Sequence, residues 1–273
     1  MEIPSHTKCE KPRRSQEIEV KWVCLAFFIV QNSALLTALR YCAIFSDPRV
    51  SYISSTAVLF AELIKLFLSL TLCLIFDANC DPAKFAETLY GGFFEEKADF
   101  LKLIIPAALY TVQNNLQYVI ETAPLFQVLY NLKLVTTAAF YTTVLAQKLT
   151  SREWMTILSL LIGVSMVQLS QRDIQHHHAS YLVGIESVII ACLTSGLAGV
   201  HFEHTLKASR SSIWVINSQL SCLCTGLAFL ACYCKDFDSI REGGFVKGYN
   251  IYVVIVVVLQ SITGLVSCSS CLY

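Results

Sequence analysis

The stretch YTVQNNLQYVIETAPLFQVLYNLK, residues 110–133, is a polar segment in an otherwise apolar chain. It predicts two membrane helices joined by a tight turn at residues 121–124, because Pro124 fits the first turn of a new helix. In both helices the polar and aromatic residues recur three or four positions apart, so they share one helical face. These residues are Tyr110, Gln113, Asn114 and Gln117 in the first helix, and Phe126, Tyr130 and Lys133 in the second.

Lys133 is the residue of this segment whose possible surroundings are most restricted. It follows Pro124 by nine residues, which is roughly 14 Å of helix, or about half of a ~30 Å hydrocarbon layer. A lysine facing lipid at that depth costs on the order of 3 kcal/mol or more. We therefore expect Lys133 to face the protein interior or a water-filled cavity and to bind an anion.

Two interpretations of this polar face remain open. In one, the amides join helices and Lys133 pairs with a carboxylate of another helix. In the other, the face lines a ligand cavity, where tyrosines stack on a ring, amides bind its edge and the lysine meets a phosphate. The polar groups exceed what one helix contact requires, which favours the cavity.

The composition indicates an all-α integral membrane protein. Of the 273 residues, 55% are hydrophobic and 15% are charged, which is too apolar for a soluble domain of this size. Lys plus Arg equals Asp plus Glu at 20 each, so no basic field indicates a nucleic-acid partner. The predicted surroundings are a lipid bilayer.

The 12 cysteines do not indicate a disulfide scaffold. Seven of them fall inside apolar runs, where cysteine behaves as a small hydrophobic residue. These are Cys24, Cys73, Cys192, Cys222, Cys224, Cys232 and Cys268. The three histidines at 176–178 do not share a helical face, so no metal site is predicted, and nothing indicates a cofactor.

Eight apolar runs predict eight membrane helices. They cover residues 22–39, 52–76, 100–120, 124–146, 154–169, 181–202, 213–233 and 249–267. Residues 1–21 are polar and basic, which predicts a disordered cytosolic tail. Residues 77–99 contain proline and glycine breakers and mixed charges, which predicts a surface connector.

Basic residues of the tail, the loops and the span ends are distributed unequally between the two membrane faces. The side of the N-terminal tail carries twelve lysines and arginines, including Lys102 at the start of the third span, and the opposite side carries six. Because basic residues are enriched on the cytosolic side, both termini are predicted to be cytosolic.

Two further patterns lie inside the predicted spans. Glu62 and Lys65 are three residues apart on one helical face, which favours an internal ion pair, with a share in substrate gating as the alternative. The sixth span carries small residues that allow close helix approach or leave room for a ligand. These are Ser195, Gly196, Ala198 and Gly199.

Five motifs together carry a resemblance to a known family. They are STAVLFAELIKL at 55–66, YTVQNNLQYV at 110–119, FQVLYNLKLVTTA at 126–138, SGLAGVHFEHTLK at 195–207 and WVINSQ at 214–219. With these motifs the chain resembles the nucleotide-sugar transporters of the Golgi and endoplasmic reticulum, in the branch of the CMP-sialic acid, UDP-galactose and UDP-N-acetylglucosamine carriers. The match runs from residue 39 to residue 265.

The resemblance implies a fold similar to that of the drug/metabolite transporters, with ten helices in two inverted five-helix repeats. Residues 22–170 would form the first repeat, and residues 171–273 an incomplete second repeat of three helices. The chain would thus contain about eight of the ten helices. It also implies exchange of a nucleotide sugar for a nucleoside monophosphate.

The family's nucleotide pocket, carried over by motif, is predicted to contain Tyr110, Asn114, Tyr130, Lys133, Ser195 and Asn217. Phe126 stands where close relatives have tyrosine, and Ile216 where they commonly have arginine. Ser221 is small at a position that resembles tyrosine in CMP-sialic acid carriers and glycine in UDP-sugar carriers. This favours a UDP-sugar.

The chain departs from the family pattern after residue 265. There the family continues with a helix bearing a Lys-Tyr-(Thr/Ala)-Asp-Asn element, whereas this sequence ends VSCSSCLY. We therefore expect a C-terminally truncated product of such a gene.

Three functions follow as hypotheses. The leading one is a Golgi transporter, with the endoplasmic reticulum as the alternative location, that exchanges UDP-N-acetylglucosamine or UDP-galactose for UMP. The second is a transport-incompetent chain that binds a partner, such as a second copy or a full-length form of itself. The third is a membrane-embedded transferase, which is the weakest because no loop carries a DxD-like carboxylate cluster. No catalytic residue is predicted.

Overall fold

The apolar runs of the sequence fold into long helices in a computed structural model of the chain. It describes residues 14–45, 52–120, 131–144, 146, 148–170, 178–209 and 211–270, and within these ranges all regular elements are helical. The helices are α1 (Arg14–Phe45), α2 (Ser54–Phe76), α3 (Pro82–Tyr90), α4 (Lys97–Lys102), α5 (Ile104–Ile120), α6 (Lys133–Val144), α7 (Ser151–Ser170), α8 (His178–Ala208), α9 (Ile213–Lys235), α10 (Phe237–Gly243) and α11 (Ile251–Ser270).

Each of the eight predicted membrane helices has a counterpart among the described residues, with different ends. Helix α1 begins at Arg14, so the prediction of a disordered tail is wrong for residues 14–21, which extend the first helix. The predicted third helix is divided at Leu103 into α4 and α5. Pro106 explains the break, because its ring would clash with the carbonyl four residues earlier in a continuous helix. The predicted turn at residues 121–124 lies outside the described residues.

The connector after α2 is more ordered than predicted. Asp81 accepts a hydrogen bond from the Ala83 amide and starts α3, and the π-helical turn Gly91–Glu95 follows. Gly92 in this turn is buried against α9, where its carbonyl accepts a 2.7 Å hydrogen bond from the Gln219 amide. The prediction of a surface connector is therefore wrong for Gly92, which α9 covers, while Phe94 of the same turn is exposed.

Helix α2 is central to the bundle. It packs against α9 and α11, while α5 packs against α8 and α9, α1 against α11, and α6 against α8. One apolar cluster joins α1, α2 and α11 and includes Leu35 and Val256. A second joins α5, α8 and α9 and includes Phe202 and Leu220. Helices of the two predicted repeats therefore pack directly against each other.

Large apolar side chains also cover the outside of the bundle. Trp22, Phe67 and Met155 are each more than three-fifths exposed, an arrangement that is unfavourable in water and favourable in lipid. Three segments of the described chain are long and apolar enough to cross a bilayer, namely Ser54–Phe76, Ile185–Ala208 and Ile213–Lys235. Two shorter apolar segments are Leu25–Leu39 and Ile251–Val266.

Two glycines of α8 differ in what lies against them. A Cβ atom added at Gly196 would lie 3.0 Å from the Phe140 ring and 3.1 Å from the Thr137 amide nitrogen, so α6 packs directly on the α8 backbone there. A Cβ atom at Gly199 would meet nothing within 4 Å. The predicted close helix approach is therefore found at Gly196.

This difference predicts that replacement by alanine destabilises the protein at Gly196 but not at Gly199. Gly196→Ala is expected to lower the free energy of unfolding by about 1 kcal/mol or more, because the α6 backbone must move away. Gly199→Ala is the matched control and is expected to be neutral or slightly stabilising, because alanine has less freedom in the unfolded chain. Thermal unfolding of the purified protein in detergent measures both. Equal effects would show that Gly196 does not limit the α6–α8 distance.

Candidate functional site

The polar face of α5 is directed into the bundle. Tyr110, Gln113 and Asn114 are half-buried and Thr111 is buried, whereas Val112 is exposed. The face predicted from the spacing therefore lies against other helices rather than lipid. The side chain of Gln117 lies outside the described part of the chain.

Glu62 and Lys65 form a buried ion pair on α2. The Lys65 Nζ lies 2.5 Å from the Glu62 Oε2, and the two residues are 8% and 5% exposed. Their spacing of three positions places both side chains on the same face of the helix. Opposite charges at this distance neutralise each other, which is how charged groups are tolerated inside a membrane span.

Asn114 connects this ion pair to α5. Its side-chain amide donates a 3.3 Å hydrogen bond to the Glu62 Oε1. The structure thus places one predicted nucleotide-binding residue beside the predicted ion pair, although the two lie 52 positions apart in sequence. In this conformation the Asn114 amide binds a protein carboxylate.

Two further helices contribute to the surroundings of the ion pair. A Cβ atom at Gly264 of α11 would lie 2.7 Å from the Lys65 Cδ, so the absence of a side chain there makes room for the lysine. Cys224 of α9 lies within electrostatic range of both charges. The ion pair is therefore placed where α2, α5, α9 and α11 meet.

Helix α9 carries buried polar groups that lead toward this point. Asn217 is 1% exposed, and neither atom of its amide has a hydrogen-bond partner among the described residues. The buried Ser221 hydroxyl, one turn later, likewise has no partner there. Residues three or four positions apart share a face, so Asn217, Ser221 and Cys224 form one stripe. A buried unpaired polar group costs about 1–3 kcal/mol, so a polar ligand would be stabilised at this stripe.

Lys133 and Ser195 lie at the contact of α6 with α8. Lys133 is the first residue of α6 and is half-buried. One turn later, the Thr136 hydroxyl donates a 3.0 Å hydrogen bond to the Cys192 carbonyl. Ser195 precedes Gly196, where α6 packs on the backbone of α8. Both predicted site residues therefore belong to one helix contact.

Tyr110 packs against α8. Its ring meets the Phe202 ring edge to face, with 6.4 Å between the ring centroids. Because Asn114 lies one turn later and contacts α2, the polar face of α5 spans the space between α2 and α8. Tyr130 and Phe126 lie outside the described residues.

Local sequence patterns did not indicate how Ile216 packs or which residues surround the ion pair. Ile216 is 1% exposed and belongs to the apolar cluster of α5, α8 and α9, so it packs as a core residue. Cys224 and Gly264 follow no sequence pattern that indicates a functional site. Only their proximity to the charged pair gives them a role.

Comparison with known proteins identifies the chain. Residues 16–273 match the profile of a family described as nucleotide-sugar transporter. The chain belongs to the nucleotide-sugar transporter family. The fold class predicted from the sequence, a helical membrane transporter bundle, is thereby confirmed.

Similar transporters come from distant organisms. A UDP-N-acetylglucosamine transporter of Homo sapiens is 37% identical over 254 residues, which cover 90% of this chain and 78% of the human protein. A UDP-galactose transporter of Schizosaccharomyces pombe is 39% identical over 264 residues, which cover 91% of this chain and 72% of the yeast protein. A Caenorhabditis elegans transporter named for UDP-N-acetylglucosamine and UDP-N-acetylgalactosamine is 36% identical. Since these relatives are transporters, the family assignment disfavours the transferase hypothesis.

Proposed function

We propose that this transporter carries a UDP-sugar, UDP-N-acetylglucosamine or UDP-galactose, across the Golgi membrane in exchange for UMP. The names of the similar transporters support a UDP-sugar. The small, buried Ser221 is the feature of this chain that supports UDP-sugars over CMP-sialic acid.

The proposed nucleotide pocket contains Tyr110, Asn114, Tyr130, Lys133, Ser195 and Asn217. The main support for this pocket is the buried Asn217 amide, whose nitrogen and oxygen have no hydrogen-bond partner in the described chain. An amide offers one donor group and one acceptor, which match the edge of a pyrimidine base or a ribose hydroxyl. Lys133 would bind the phosphate, because an ammonium group makes charge-assisted hydrogen bonds with phosphate oxygens.

Transport itself is tested with the purified chain in liposomes. Liposomes preloaded with UMP are expected to take up labelled UDP-N-acetylglucosamine or UDP-galactose faster than empty liposomes do, and labelled CMP-sialic acid is expected to enter more slowly. Equal uptake with and without UMP inside would contradict the exchange mechanism. The absence of uptake for all three nucleotide sugars would contradict the transport proposal.

The role of Asn217 can be separated from a structural role. Asn217→Leu preserves the size of the side chain and removes its polar atoms. It is expected to weaken UMP binding about tenfold, or roughly 1.4 kcal/mol, without lowering the free energy of unfolding, because no described protein group loses a hydrogen bond. Binding is measured by calorimetry and unfolding by thermal denaturation.

Gln219 provides the matched control on the same helix. Its amide donates to the buried Gly92 carbonyl at 2.7 Å, so Gln219→Met is expected to lower the free energy of unfolding by about 1–3 kcal/mol. UMP affinity should change little. If Asn217→Leu instead destabilises the fold and leaves UMP affinity unchanged, Asn217 is structural and the proposed pocket is wrong at this position.

A further inference from the structure

Helices α2 and α9 form an antiparallel pair of equal length. Each contains 23 residues, or roughly 35 Å of helix, which is enough to cross the hydrocarbon layer of a bilayer. The start of α2 contacts the end of α9, and the start of α9 contacts the end of α2. The two ends of this pair therefore lie at opposite membrane faces.

Both helices end with the same short pattern, a cysteine followed four residues later by aspartate. In α2 these are Cys73 and Asp77, and in α9 they are Cys232 and Asp236. In each case the aspartate amide donates to the cysteine carbonyl as the last helical hydrogen bond. Both cysteine side chains are buried.

Each terminal aspartate binds a serine of the other helix. The Ser212 hydroxyl donates to the Asp77 carboxylate, and the Ser55 hydroxyl donates to the Asp236 carboxylate. We call these the Asp77 contact and the Asp236 contact. They are reciprocal, because each helix supplies the serine at its beginning and the aspartate at its end. Such a pair of contacts relates the two helices by an approximate two-fold axis.

The two cysteines lie directly beside these contacts. The Cys73 thiol lies next to the Asp77 carboxylate, and the Cys232 thiol lies next to the Ser55 hydroxyl and the Asp236 carboxylate. The buried ion pair of Glu62 and Lys65 lies between the two contacts along α2. Water that reaches the ion pair along the α2–α9 boundary must therefore pass one contact or the other.

The two ends differ in their additional hydrogen bonds. Beside the Asp77 contact, the Ser211 hydroxyl donates to the Glu96 carboxylate, and the Gln219 amide donates to the Gly92 carbonyl. Beside the Asp236 contact, the hydroxyls of Thr56 and Tyr249 lie 3.0 Å apart. The first two bonds hold the start of α9 to the connector after α2, and the last holds the start of α2 to the segment before α11.

We propose that the Asp77 and Asp236 contacts are the two gates of the α2–α9 boundary, one at each membrane face, and that they open separately. The proposal rests on the proposed transport function, in which the site must open to one face at a time. Hydrogen bonds from a hydroxyl to a carboxylate suit this role, because near the membrane surface water replaces either partner when the helices part. The buried cysteines report each opening without any substrate.

The test uses the 273-residue chain with a single retained cysteine, Cys73 or Cys232. The protein is placed in sealed vesicles, which are treated with a membrane-impermeant maleimide. Asp236→Ala is expected to increase labelling of Cys232 about tenfold, from one face only. Asp77→Ala is expected to increase labelling of Cys73 about threefold, from the opposite face, because the bonds of Ser211 and Gln219 still hold the start of α9 to the connector. Addition of Glu96→Ala should raise this increase to about tenfold. Ser55→Ala should act on Cys232 as Asp236→Ala does.

Matched controls distinguish gating from loss of structure. Glu87→Ala and Asp238→Ala remove exposed carboxylates outside the two contacts and should leave labelling unchanged. In all variants a chain that retains only Cys192, which is buried at the α6–α8 contact, should stay unlabelled. The proposal is overturned if labelling does not increase, if both thiols become accessible from the same face, or if Cys192 reacts as well. Labelling requires no nucleotide sugar, so its outcome is independent of the transport assay, which tests the proposed function by itself.

Discussion

Lys65→Met is expected to lower the free energy of unfolding by about 3–5 kcal/mol, the range measured when one partner of a buried ion pair is removed. The Glu62 carboxylate, 5% exposed, would lose the ammonium group that lies 2.5 Å away. Methionine preserves the flexible apolar stem that passes Gly264, so the lost charge is the main change. Equilibrium unfolding of the purified protein in mixed detergent micelles measures the effect.

The double variant Glu62→Gln with Lys65→Met should recover most of this loss. Neither side chain of the pair is then charged, and the Asn114 amide retains a neutral acceptor in place of the carboxylate. The coupling energy from the double-mutant cycle should therefore be large. If the two single effects simply add, Glu62 and Lys65 do not act as a pair.

An exposed pair with the same spacing provides the control. The Lys102 Nζ lies 2.7 Å from the Asp99 Oδ1, three positions earlier, but the lysine side chain is 53% exposed. Lys102→Met is expected to change the free energy of unfolding by less than about 1 kcal/mol, as usual for surface pairs. A similar effect of both lysine substitutions would mean that burial does not strengthen the Glu62–Lys65 pair.

Lys133→Gln is expected to weaken UMP binding by about 2 kcal/mol, the lower end of the range for truncating one partner of a buried charge pair. This is roughly a 30-fold increase in Kd. Uridine, which lacks the phosphate, should bind with nearly unchanged affinity. The comparison of UMP with uridine by calorimetry on the same variant isolates the phosphate contribution, because the base and ribose are common to both ligands.

Lys207 provides a matched lysine for this measurement. It lies near the end of α8, its side chain is 56% exposed, and its Nζ lies 2.5 Å from the Glu203 Oε1. Lys207→Gln is expected to leave the affinity for both ligands unchanged. If Lys133→Gln weakens UMP and uridine equally, the lysine does not bind phosphate. Lys133 would then have the structural role of the other interpretation, in which it pairs with a carboxylate of another helix.

The sequence by itself determined the helices and the pairings within them. Long apolar runs cross a bilayer only as helices, because the backbone must satisfy its hydrogen bonds internally. The Glu62–Lys65 ion pair and the inward face of α5 follow from the helical repeat, which brings residues three and four positions apart together. The family motifs are likewise local patterns of the sequence.

The tertiary structure alone decided which helix faces meet. It placed Asn114 beside Glu62, buried Gly92 under Gln219, distinguished Gly196 from Gly199, and joined the ends of α2 and α9 through Asp77 and Asp236. The hydrogen bonds among these contacts join residues 52 to 181 positions apart. Such contacts depend on the rotation and axial position of packed helices, which the combined fit of all side chains fixes and no local spacing encodes.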